Sequence, residues 1–126
     1  MRLNWRRGSL CARSGRALQP ELLECAGPAP ADRNLRDLAR INRWFGGHNA
    51  LLGIMRDLVE SDEQFSLLDV GAGSGDMGRC VLRHFRNAKV ISLDHREFHL
   101  RGAASPRVVA DALHLPFPKQ TFDFVL

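Results

Sequence analysis

Three acidic residues in this chain each close a short apolar run: Asp69 in SLLD, Asp94 in VISLD and Asp111 in RVVAD. Asp69 is followed by Val70 and then by Gly71, Ala72, Gly73, Ser74 and Gly75, so four of the chain's eleven glycines fall between Leu67 and Gly78. Glycines at alternate positions remove Cβ atoms where the backbone must turn sharply and let a ligand approach main-chain N–H groups. That much suits a nucleotide-like ligand, and the spacing narrows it. A dinucleotide fingerprint G-x-G-x-x-G read from Gly71 puts Asp76 where the third glycine is required. A diphosphate at the start of the following helix would meet that carboxylate. Asp69, two residues before the first glycine, suits a ligand carrying positive charge or an amine. Asp94 stands 19 residues beyond Gly75, where a carboxylate accepts hydrogen bonds from both ribose hydroxyls. Asp111, next to Ala112, stands where a carboxylate accepts from an exocyclic amine such as adenine's. Each acid alone also reads as a turn former or helix cap; the three together with the glycine loop favour a site.

Elements of changing period must position these residues. SLLDVG, VISLD and RVVAD are short continuous apolar runs rich in Val, Ile and Leu, as expected of strands buried on both faces of a parallel sheet. Between the first two, DMGRCVLRHFRNA places Met77, Val81 and Phe85 at helical spacing, with Arg79, Arg83 and Arg86 outward. HREFHLRGAAS is a short helical candidate closed by Gly102. A Pro-punctuated loop, LPFPKQT, leads to a fourth strand, FDFVL. Alternation of this kind predicts a doubly wound, mostly parallel α/β sheet of about four strands, preceded by a helical segment. Ligands bind such sheets in the crevice beyond the carboxyl ends of the strands. In the helical segment, NLRDLARINRWF sets Leu35, Leu38, Ile41 or Asn42, and Phe45 on one face. Gly46-Gly47 stops that helix, and ALLGIMRDLVE sets Leu51, Leu52, Met55, Leu58 and Val59 on one face of a second. These two are expected to cover one side of the core. ECAGPAPAD, Glu24 to Asp32, reads as a linker.

The organisation is thus a basic, disordered extension with linker over 1–30, a helical segment over 31–64 and the α/β unit over 65–126. At 126 residues, 44% hydrophobic and 25% charged, the chain is one ordinary domain with a modest core. No apolar run approaches the ~18 residues of a membrane span, so no membrane partner is expected. Five of the eighteen basic residues (Arg2, Arg6, Arg7, Arg13, Arg16) lie in an acid-free tail, which leaves thirteen against fourteen acids elsewhere. The formal charge of +4 therefore belongs to the tail, and no nucleic-acid face is expected on the body. The Arg6-Arg7 pair lacks the apolar segment of a targeting signal. Cys11, Cys25 and Cys80 are odd in number and unclustered, which suits a reducing cytoplasm. His95 and His99 stand four apart with no third metal ligand evident, so no metal is expected. Cys80 reads as a buried structural thiol, His48 and His114 as loop or capping residues, and Trp5 and Trp44 as packing or tail residues. Ser74 is in G-S-G-D rather than a G-x-S-x-G elbow, which leaves hydrolase chemistry unsupported.

The series LLDVGAGSGDMG, ISLDH, VVADALHLPF and FDFVL resembles the motif series of class I S-adenosylmethionine-dependent methyltransferases, especially the small-molecule "type 11" group, whose sheet is Rossmann-like. The resemblance is specific over Leu67 to Leu126, with a weaker likeness of NLRDLARINRWFGGH to the N-terminal helices of some bacterial members. It implies S-adenosyl-L-methionine as cofactor, with Gly71, Ala72, Gly73 and Gly75 against its methionine part and Asp69 near its amino end. It further implies Asp94 on the ribose hydroxyls, His95 beside the adenine, and Asp111 with Ala112 at the adenine edge. The partner implied is a small-molecule methyl acceptor, with no catalytic residue assigned.

Family members usually have seven strands, whereas this text stops inside the fourth. The expectation is therefore a fragment or truncated product that carries the cofactor side of the site without a complete acceptor site. The unpartnered edge 122–126 is expected to be a place of self-association. Two other readings stand beside methyl transfer. One is a non-catalytic nucleoside-binding remnant or interaction module. The other is an NAD(P)-dependent oxidoreductase, disfavoured by Asp69 and Asp76.

Overall fold

The computed structural model describes residues 28–104 and 106–126. The expectations for the Arg-rich extension, for Trp5, Cys11 and Cys25, and for the first part of the linker lie outside the described residues. In chain order the elements are α1 (Pro28–Trp44), α2 (Gly47–Leu58), β1 (Phe65–Val70), α3 (Asp76–His84), β2 (Ala88–Asp94), a 3-10 turn (His99–Gly102), β3 (Arg107–Val109) and β4 (Phe124–Val125). The strands form one parallel sheet in the order β3-β2-β1-β4, which is the α/β architecture that the alternating periods predict.

Side chains alternate across a strand, so residues two apart share a face. Phe65 and Leu67 of β1 and Ala88 and Val90 of β2 bury against Leu51, Leu52, Met55 and Val59 from α2 and its exit, and against Cys80, Val81 and Phe85 from α3 and its exit. Phe65 sits at the centre. Its ring meets those of Phe85 and Phe124 edge-on, each at a centroid distance of 5.5 Å, the arrangement that aromatic quadrupoles favour. Cys80 is buried, as its neighbours in sequence suggest.

Several local expectations give way to tertiary structure. Helix α1 begins at Pro28, inside the stretch read as a linker. Of the apolar face expected on α1, only Leu35 is buried; Leu38, Ile41 and Phe45 are 44%, 50% and 85% exposed, and Trp44 is exposed with them. Leu58 of α2 is exposed too, while Val59 beyond the helix end is buried. Helix α3 stops at His84, and Phe85 reaches the core from extended backbone. Strand β3 is short and mostly exposed rather than buried on both faces. His95 is not helical, and HREFHLR contributes a single 3-10 turn.

The turn between α1 and α2 depends on glycine. Gly46 has φ +88°, and a Cβ on Gly47 would lie 3.2 Å from the backbone of Asn42. The core makes the first prediction. Phe65→Ala should destabilise the chain by about 3–5 kcal/mol, the usual cost of removing a buried ring, read by urea denaturation followed by circular dichroism. A loss below about 1 kcal/mol would place the core elsewhere.

Candidate functional site

The strand order reverses at β1, since the chain goes outward to β2 and β3 and then returns to pair β4 on the other side. Such a switch point opens a crevice at the carboxyl ends of the strands. There the structure has a cleft of about 490 Å³ lined by Gly71, Leu93, Asp94, His95, Ala110, Asp111 and Ala112. Three chain segments that follow three different strands thus bring together Gly71, Asp94, His95, Asp111 and Ala112, all singled out in the sequence. Asp69, Ala72, Gly73 and Gly75 are not among the lining residues.

The loop glycines have different roles. Gly71, Gly73 and Gly75 all have positive φ, at +70°, +52° and +71°, backbone that side chains with a Cβ adopt at a cost. A Cβ on Gly71 would meet nothing within 4 Å, so this is the glycine that leaves backbone open to the cleft. A Cβ on Gly75 would lie 2.6 Å from Ala103, and one on Gly73 would lie 2.8 Å from a methyl of Leu35. Those two make room for protein: the segment after the 3-10 turn in one case and helix α1 in the other. Arg79, expected to face outward, donates instead to the carbonyls of Ser74 and Gly102 and ties the loop to the 3-10 turn.

Asp94 is the most connected side chain of the cleft and is buried. Its Oδ2 accepts the Gly73 N–H at 3.0 Å. Its Oδ1 accepts the Arg96 N–H at 3.1 Å and the His99 Nδ1–H at 2.9 Å, with His95 Nδ1 at 3.3 Å. A carboxylate has about four lone-pair sites. Oδ2 therefore keeps acceptor capacity for a ligand hydroxyl, whereas both lone pairs of Oδ1 are taken by Arg96 and His99, with His95, 45% exposed, beside them. The sequence shows no third metal ligand beside His95 and His99, but the fold supplies one. A carboxylate oxygen of Asp94 and one ring nitrogen of each histidine lie within 4.8 Å of one another. Hydrogen bonds to the carboxylate account for the same contacts.

The other two strand-end acids differ sharply. Asp69 is buried, and its Oδ2 accepts the Gly78 N–H at 3.2 Å, which fixes the first turn of α3. Burial pushes its carboxyl above the ordinary value of 3.8; the Gly78 bond opposes the shift, and the charges of Asp76 and Asp94 add to it. Asp111 is exposed and held low by hydrogen bonds from His114 and from the Leu113 N–H. It makes the turn-forming contacts of a short polar side chain while lining the cleft. His114 is thus the partner of Asp111, at 3.0 Å. His48, read as a loop or capping residue, stands near the start of α2, and its Nε2 lies 2.7 Å from Asp76 Oδ2. No local signal marks this pair, whose members are 28 residues apart.

A raised carboxyl favours the folded state below the ordinary value and loses that advantage as pH rises through the folded value. Asp69→Asn keeps an acceptor for Gly78 and cannot ionise. The stability of the variant relative to wild type should therefore rise as pH increases above 3.8 and then level off. Urea midpoints taken at a series of pH values would reveal this, and a pH-independent difference would remove the assignment.

Comparison with known proteins agrees with the fold. Residues 68–126 match the family model described as "Methyltransferase domain". Eleven chains of solved structures match. One is a SAM-dependent methyltransferase from Aquifex aeolicus, 18% identical with a TM-score of 0.54, over 79% of this chain and 55% of that one. Another is the YcgJ protein from Bacillus subtilis, 25% identical with a TM-score of 0.48, over 61% of this chain and 36% of that one. The chain thus spans about half of the first and about a third of the second. No curated protein matches. The glycine loop and all three strand-end acids lie inside the segment that is similar to this family model, and the sheet that carries them is Rossmann-like.

Proposed function

We propose that the chain is the cofactor-binding part of an S-adenosylmethionine-dependent methyltransferase that acts on a small-molecule acceptor. The observation that carries this reading is the cleft that joins Gly71, Asp94, His95, Asp111 and Ala112 from three successive strand ends. The donor set fits such a nucleoside. Carboxylates, rather than the bare helix N-terminus that suits a diphosphate, surround the glycine loop. The open face of Gly71 offers main-chain groups to the methionine part. The remaining acceptor capacity of Asp94 Oδ2 suits a ribose hydroxyl, and Asp111 with Ala112 suits the amine edge of adenine. Asp69 acts one layer deeper by holding α3 through Gly78.

When bound, the cofactor would supply an electrophilic methyl carbon beside a sulfonium. The chain's own task is to orient the nucleoside so that an acceptor lone pair meets that carbon in line, a task of positioning more than of proton transfer. His95, exposed at the rim, is free to move off Asp94 and lie beside the base.

Titration calorimetry with S-adenosylhomocysteine, S-adenosylmethionine and NAD tests the reading. S-adenosylhomocysteine should bind and NAD should not; the reverse pattern would overturn it. Asp94→Asn should weaken S-adenosylhomocysteine by about 1.5–3 kcal/mol, the contribution of a hydrogen bond to a charged group, in a variant whose circular dichroism spectrum is unchanged. Undiminished affinity would remove Asp94 from the ribose.

A further inference from the structure

Helices α1 and α2 touch the glycine loop at two points that are remote in sequence. Leu35 of α1 is buried with a methyl in the space that a Cβ on Gly73 would fill. His48 of α2 meets Asp76, the residue that follows Gly75 and opens α3. Both side chains of this pair are largely withdrawn from solvent, at 13% and 16% exposure. The α1–α2 turn delivers His48 to that place through the left-handed Gly46 and the tight approach of Gly47 to Asn42. The pair lines a polar groove of about 330 Å³ with Arg43 from α1, Asn49 from α2, and Arg83 and His84 from α3.

We propose that His48 and Asp76 are positioning residues that seat the α1–α2 hairpin on the glycine loop and so set how tightly the nucleoside is held. The proposal rests on the methyltransferase reading for the identity of the ligand, although the seating itself does not. The physics is direct. Asp76 begins α3 where Gly75 ends the loop, and the Gly75 carbonyl accepts the Arg79 N–H while its own N–H binds the Ala72 carbonyl. Anchoring Asp76 therefore fixes the exit of the loop, just as Leu35 bears on its middle. Charged or titratable groups face the pair from each neighbouring element: Arg43 from α1, Arg83 and His84 along α3, and Asp69 from β1, which feels the charge of Asp76. With His48 removed, a partly buried carboxylate loses its partner beside that of Asp69, a costly arrangement that moving the loop relieves. The affinity of a cleft whose competent form is only partly populated falls in proportion.

The test uses the full chain and its His48→Ala, His48→Gln and Asp76→Asn variants. It reads amide hydrogen exchange without ligand, S-adenosylhomocysteine affinity by calorimetry, and the melting temperature. His48→Ala should speed exchange over residues 46–58 and 71–79 by about tenfold and weaken binding about tenfold, as expected for the loss of one charge-assisted hydrogen bond. Glutamine, which also donates to Asp76, should restore most of both, and Asp76→Asn should fall between. Unchanged exchange at the glycine loop in His48→Ala, or glutamine as damaging as alanine, would overturn the proposal. So would a lower melting temperature with affinity unchanged. Absence of S-adenosylhomocysteine binding in the wild type would instead refute the methyltransferase reading, and the exchange arm would still decide whether the pair seats the hairpin.

Discussion

The carboxylate of Asp94 is held from three directions: the Gly73 N–H of the loop after β1, the Arg96 N–H at the exit of its own strand, and the His99 ring of the 3-10 turn. A buried carboxylate needs partners to offset its desolvation, and the partners here come from the segments that follow β1 and β2. The same group that lines the cleft therefore ties those two segments together. The positive φ of Gly73 makes the first of these bonds possible, by turning a main-chain N–H toward the neighbouring strand end. The 3-10 turn and its exit then pack at Ala103 against Gly75, so the glycine loop and the segment after β2 form one unit.

Glycine loops of this kind are commonly read as space left for a ligand. Two of the three loop glycines leave space for protein. Ala103 and Leu35 occupy the positions that a Cβ would take on Gly75 and Gly73, and only Gly71 opens onto the cleft. The loop is thereby clamped from beneath by the 3-10 segment and from the side by α1. A backbone with three left-handed residues in five needs such bracing, because glycine also lowers the cost of leaving that conformation.

Electrostatics follow the same plan. Asp69, Asp76 and Asp94 lie close enough for the first to feel both others, yet each has its own donor: Gly78, His48, and the Gly73–Arg96–His99 set. Three carboxylates beside a loop whose backbone is open at Gly71 suit a ligand that carries both cationic and hydroxyl groups. They suit poorly one that carries phosphates.

The succession of strands and helices, the position of the glycine turn and the acids at strand ends were legible in the sequence. They follow from local physics: side-chain period, the conformational freedom of glycine, and apolar runs that end where the chain reaches the crevice. Even Cys80 could be placed in the core from its neighbours. The burial of α1 was not legible, because an apolar stripe states which face can be buried and not how far a neighbour extends to cover it; only Leu35 found one. The end of α3, the inward turn of Arg79 and the division of labour among the glycines likewise depended on contacts across the fold. So did the pairing of His48 with Asp76 and of His99 with Asp94. By itself the sequence determined a parallel α/β unit with a glycine loop and an acid at or near the end of each of three strands, since each of those features is written within a few consecutive residues. Only the tertiary structure decided which acid holds the wall, which supports the helix and which stays in solvent, because a carboxylate's role is set by the donors that reach it, and those come from distant parts of the chain.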